Sequence, residues 1–123
     1  WGRRDTAHIL IVDGHANVNA KDPTRDEVGG TTPLIVACKG SQIPVIKLLI
    51  HYGADINLNE DHFGQNPIIA AAELGHSTVI ECLIDYHVQI NYQNPYTGMT
   101  ALMTAAAKGK RSALISLLNH YAD

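Results

Sequence analysis

A 34-residue period governs this chain. Gly30, Gly64 and Gly98 are spaced by it, and Thr32, Asn66 and Thr100 follow at the same interval. Leu34, Ile68 and Leu102 match next, then Ala37, Ala71 and Ala105. Later in the unit Val45, Val79 and Ala113 align, as do Leu49, Leu83 and Leu117, and Asn57 pairs with Asn91. The end of the unit also occurs once earlier, where "HANVNAKD" (15–22) parallels "GADINLNE" (53–60) at an offset of 38. The excess falls in the polar stretch "AKDPTRDEVGG", which reads as a lengthened loop. A unit of this size cannot bury its apolar side alone, so its copies must stack on one another.

Each copy reads as helix, turn, helix and extended turn. Thr32 or Asn66 supplies a capping oxygen, and Pro33 or Pro67 occupies the first helical position, where no amide partner is needed. This short helix is expected to end at "KG" (39–40) or "LG" (74–75), where glycine accepts left-handed geometry. A second helix is expected from about Ile43 to Tyr52, with Val45, Leu48 and Leu49 on one face. "YGADINLNEDHFGQ" then ends that helix at Gly53 and projects a hairpin. The run Ala70–Ala71–Ala72 fits a stack in which small side chains let the first helices of neighbouring units approach closely. The leucine and isoleucine face of the second helix supplies the larger burial.

At this point the residues resemble the ankyrin repeat. Its T-P-L-H-x-A signature stands here as "TPLIVA", and its G-A-D-x-N tail as "GADIN" (53–57), with agreement from about residue 8 onward. The resemblance implies an all-α solenoid: one domain over 1–123, with a partial unit (1–29) and repeats at about 30–63, 64–97 and 98–123. The signature histidine is replaced by Ile35, Ile69 and Met103, so apolar contact is expected where the family makes a polar link between repeats. "YHVQIN" stands where "YGADIN" is typical, which asks His87 to take the left-handed geometry of glycine. The chain opens within a repeat and stops at "NHYAD" without polar capping helices, as expected of a fragment of a longer protein.

Chemistry leaves little trace. The seven histidines, His8, His15, His51, His62, His76, His87 and His120, sit at different phases of the repeat, and no metal-ligand, phosphate-loop or nucleophile motif accompanies them. His51, His87 and His120 have offsets close to the period, but they read as solvated helix-end residues and not as a metal clip. No catalytic residue, metal site or cofactor is expected. The net charge of −3 gives no footprint for nucleic acid, and the short apolar runs give no membrane span. "AKGKR" (107–111) is the one basic cluster and reads as a solvated turn. Cys38 and Cys82 have neither metal nor redox spacing and are expected to be reduced and buried, which fits an intracellular location, cytoplasmic or nuclear.

The resemblance implies a non-catalytic module, monomeric, that binds another protein or a peptide on a concave face of hairpin tips and first helices. Transferred position by position, that face holds Lys39, then His62, Phe63, Gln65, Glu73 and Leu74, then Tyr96, Thr97, Met99 and Lys108. Phe63, Tyr96 and Met99 are apolar where a hairpin has little to bury, which suits partner contact. Equally, Phe63 and Tyr96 can fold back on adjacent hairpins and stiffen the row. Glu73 and Lys108 would add charge selectivity. An alternative is a targeting or regulatory segment of a larger enzyme, ubiquitin-ligase adaptor or ion channel. Asn57 and Asn91 are expected to bond to backbone and hold their turns. The family also implies that Asn57 is a candidate for enzymatic hydroxylation.

Overall fold

The computed structural model describes residue 19 and residues 31–59 and 64–120. Apart from residue 19, the expected partial unit and its long loop lie outside the described residues, as do His62 and Phe63. Among the described residues six helices follow in order: α1 Pro33–Lys39, α2 Ile43–His51, α3 Pro67–Leu74, α4 Ser77–Asp85, α5 Ala101–Ala107 and α6 Arg111–Asn119. Their starts, at 33, 67 and 101 and at 43, 77 and 111, reproduce the sequence period. No strand occurs among the described residues.

Local chemistry sets each first helix. Thr32, Asn66 and Thr100 are extended at the cap, and their side-chain oxygens accept from the amides of Ile35, Ile69 and Met103. At the far end one residue turns left-handed, and the next amide reaches back five residues. Gln42 bonds to the Ala37 carbonyl, His76 to Ala71 and Lys110 to Ala105, at 3.0, 3.0 and 2.9 Å. The left-handed residues are Ser41, Gly75 and Gly109, with φ of 55°, 76° and 67°. "LG" behaves as expected, but "KG" does not. Gly40 is right-handed at φ −86°, because its glycine stands one residue too early in the unit, and Ser41 bears the strain. The second helices end the same way, through Gly53 at φ 95° and, as the sequence required, His87 at φ 64°.

The alanines explain the stack. α3 packs against α1 on one side and α5 on the other, and each first helix packs on the second helix of its own unit. Ala70, Ala71 and Ala72 are all buried, as are Ala37, Ala101 and Ala105, so the row closes on methyl groups. Ile46, Ile68, Ile80, Leu83 and Leu117 fill the space behind them with no more than trace exposure. Each such side chain contributes about 1.5–3 kcal/mol by leaving water. Ile35 and Ile69, in the histidine's place, are buried as expected, whereas Met103 is 47% exposed. Cys38 and Cys82 are free and buried. Burial pushes both thiols up, and for Cys38 the neighbouring Cys82 adds to it.

Polar links also cross between units. The Asn57 side-chain oxygen accepts from the Gln89 amide at 2.9 Å. Asn19 repeats this with the Asp55 amide at 2.6 Å, and its own amide donates to the Gly53 carbonyl at 3.2 Å. His76 lies 3.0 Å from the Lys39 carbonyl through Nε2, and since a carbonyl only accepts, that nitrogen carries the proton. Thus Asn57 bonds to backbone as expected, but to that of the next hairpin and not of its own turn. Among the described residues no helix is long and apolar enough to cross a membrane.

Candidate functional site

The hairpin between α4 and α5 is shaped by Asn94. Its carboxamide is buried, and its Oδ1 accepts from the Tyr96 amide at 2.8 Å. Its backbone closes the turn from both sides: the Asn94 amide donates to the Met99 carbonyl at 2.9 Å, and the Gly98 amide donates to the Asn94 carbonyl at 2.7 Å. Thr97 Oγ1 accepts from the Met99 amide at 3.2 Å. Tyr96 is left at the tip, 66% exposed.

Gly64, in the loop that leads into α3, packs against this hairpin. The Tyr92 hydroxyl donates to the Gly64 carbonyl at 2.9 Å. A Cβ on Gly64 would lie 2.6 Å from Asn94 Oδ1 and 2.7 Å from the Tyr96 ring, so only glycine lets the chains meet. Tyr96 therefore does fold back, its ring edge against the Gly64 backbone, while most of its surface stays in solvent. Burial raises the Tyr92 hydroxyl above the usual tyrosine value, against the opposing effect of a hydrogen bond with Asn59.

Beneath the hairpin lies a cleft of about 280 Å³. Gln65, Ile69 and Glu73 line one side, and Asn94 and Thr97 from the end of the same unit, with Met99, Thr104, Ala107 and Lys108 of the next, line the other. The Gln65 amide donates to the Glu73 carboxylate. Thr104 spends its hydroxyl on the Thr100 carbonyl at 2.9 Å. What remains is an apolar floor between an anion on α3 and a cation just past α5. No nucleophile with a base beside it lines the cleft.

Of the residues expected on the concave face, Gln65, Glu73, Thr97, Met99 and Lys108 come together in this cleft. Lys39, Leu74 and Tyr96 are exposed but do not line it, and His62 and Phe63 lie outside the described residues. Sequence reasoning missed Asn94, Ile69 and Thr104. Asn94 left a signal in "NPYTG", since an asparagine two residues before a turn tip accepts from that residue's amide. It also missed two broader, more open grooves between α2 and α4. These measure about 460 and 400 Å³ and share Ile43, Lys47 and Tyr86.

Of the seven histidines, His8, His15 and His62 lie outside the described residues. His51 meets the Tyr52 ring edge-on at 5.1 Å, and His120 pairs with Glu81 at 2.7 Å. Among the described residues no three His, Cys, Asp or Glu side chains gather as metal ligands. Asn57 is half-buried, with its amide oxygen committed to Gln89.

Comparison with known proteins agrees with this architecture. The family model described as Ankyrin repeats (3 copies) matches residues 53–123, more than half of the chain. The model described as Ankyrin repeat matches residues 29–61. No curated protein matches the chain.

Proposed function

The chain belongs to the ankyrin-repeat family, and on that premise we propose that it binds a partner protein or peptide across its concave face. Ankyrin repeats are generally protein–protein interaction modules without catalysis of their own. The contact we assign here runs over Gln65, Glu73, Thr97, Met99 and Lys108, with Phe63, Tyr96 and Leu74 as its apolar margin. One observation carries the reading: residues of two neighbouring units, on α3 and around α5, line a single cleft with an apolar floor. Concave apolar surface with a few polar groups at its edge is what a binding site requires. The two free, buried thiols support an intracellular location.

The test uses a displayed library of random peptides selected on the wild-type chain. Replacing Phe63 and Tyr96 together by alanine should weaken the selected binders by about 2–4 kcal/mol if these are anchor residues. Circular dichroism of the double variant should show unchanged helicity. Binders that retain full affinity for it would move the site elsewhere.

A further inference from the structure

Resting on that docking face, we infer that the cleft selects an extended peptide carrying an apolar side chain between a basic and an acidic residue. The basic residue lies over Glu73, the apolar one enters the cleft, and the acidic one lies over Lys108.

Size points to one side chain. At about 280 Å³ the cleft lies just below the roughly 300–1,000 Å³ of small-molecule sites. Its floor is apolar, with Ile69 only 2% exposed and Met99 half-buried beside it. The neutral polar groups at its edge each have a partner inside the protein: Asn94 with the Tyr96 amide, Thr97 with the Met99 amide, Thr104 with its own helix, and Gln65 with Glu73. Recognition by charge therefore falls to Glu73 and Lys108. A carboxylate has about four lone-pair positions, so Glu73 retains capacity for a second partner after Gln65.

Spacing gives the pattern. Neighbouring packed helices lie roughly 8–10 Å apart. An extended peptide places residues i, i+2 and i+4 on one face over roughly 13 Å. Long charged side chains leaning inward close the difference. Either chain direction satisfies the two charges, so composition, not order, is the prediction.

The probes are short synthetic peptides with Lys, Leu and Glu at alternating central positions. Companion peptides carry two lysines, two glutamates, or serine in place of leucine. The wild-type chain should bind the mixed-charge peptide roughly three- to tenfold more tightly than either like-charged one, and the serine peptide weakly. Lys108→Glu should move the preference to the two-lysine peptide, and Glu73→Lys to the two-glutamate peptide. Should Glu73→Lys lose helicity, Glu73→Gln decides the matter, because it should erase the preference for lysine on that side. Equal binding of all charge patterns, or a preference unmoved by Lys108→Glu, overturns the inference. Peptides of other composition that bind the wild type and fail on the Phe63/Tyr96 variant would keep the docking face while removing its charge pattern. Failure of every peptide to bind would remove both.

Discussion

Asn57 joins its own hairpin to the next one: its side-chain oxygen accepts a 2.9 Å hydrogen bond from the Gln89 amide. Because Asn19 does the same for Asp55, the bond belongs to the unit and not to one site. Asn57→Ala removes the acceptor and leaves a backbone donor without its partner. The expected cost is about 1 kcal/mol, measured by urea unfolding. Hydrogen exchange should speed up at the Gln89 amide while α1 and α3 keep their protection.

Gly40 and Ser41 make a sharper case. Gly40 occupies ordinary right-handed geometry, and a Cβ there would meet nothing nearer than 3.4 Å. Ser41 holds a left-handed φ of 55° that suits glycine. Exchanging them, as Gly40→Ala with Ser41→Gly, should stabilise the chain by about 1–2 kcal/mol. Thermal unfolding should rise by several degrees. A melting temperature that falls would mean that Ser41 earns its place through a contact worth more than the backbone strain.

This pair also shows how far the sequence could be read. Fold, helix starts, caps and buried alanines followed from residues that recur every 34 positions, because stacking imposes the same environment on each copy. Gly40 misled because a glycine marks a turn without saying which residue of the turn goes left-handed. The cleft was half legible. Its charged and polar margin could be transferred by position, but Asn94 and Thr104 have no counterpart of their type one unit back, where Glu60 and Ala70 stand. The grooves between α2 and α4 arise from how two helices sit across a gap, and no local pattern encodes that distance.

Gly64 should be the least replaceable glycine among the described residues. Its φ is 66°, and an added methyl would press on both Asn94 Oδ1 and the Tyr96 ring. Gly98 has a similar φ of 73° with open space around it. Gly98→Ala should therefore cost about 1 kcal/mol from backbone strain alone, and Gly64→Ala about 2–4 kcal/mol from strain plus overpacking. Equal losses in unfolding experiments would show that Tyr96 swings away freely and does not brace the hairpin.

Tyr92 predicts a dependence on pH. Its folded-state pKa is raised above the ordinary value of 10.0, chiefly by burial. The fold thus favours the neutral phenol, whose proton reaches the Gly64 carbonyl. That contribution is complete below about pH 10 and is lost as pH rises through the folded value. Tyr92→Phe should cost about 0.5–1.5 kcal/mol at pH 7, and the gap between variant and wild type should narrow above pH 10. A gap that widens there would reverse the sign of the argument.

Among the described side-chain caps, Asn66 alone carries a surplus group. Its Oδ1 accepts from the Ile69 amide at 3.1 Å, as Thr32 and Thr100 do for their own helices. Its side-chain NH2, however, is buried without a hydrogen-bond partner. Leaving such a donor unpaired costs about 1–3 kcal/mol, whereas threonine, a slightly weaker cap, serves from the same extended backbone and puts a methyl in its place. Asn66→Thr should accordingly stabilise the chain by about 1 kcal/mol, and Thr100→Asn should lose a similar amount by creating the same orphan. Asn66→Ala separates the two effects: it removes the orphan but also the cap, so it should fall below Asn66→Thr by about 1 kcal/mol. If Asn66→Thr instead destabilised the fold, the amide would have to be satisfied in solution, and the surplus donor would be serving the unit it caps.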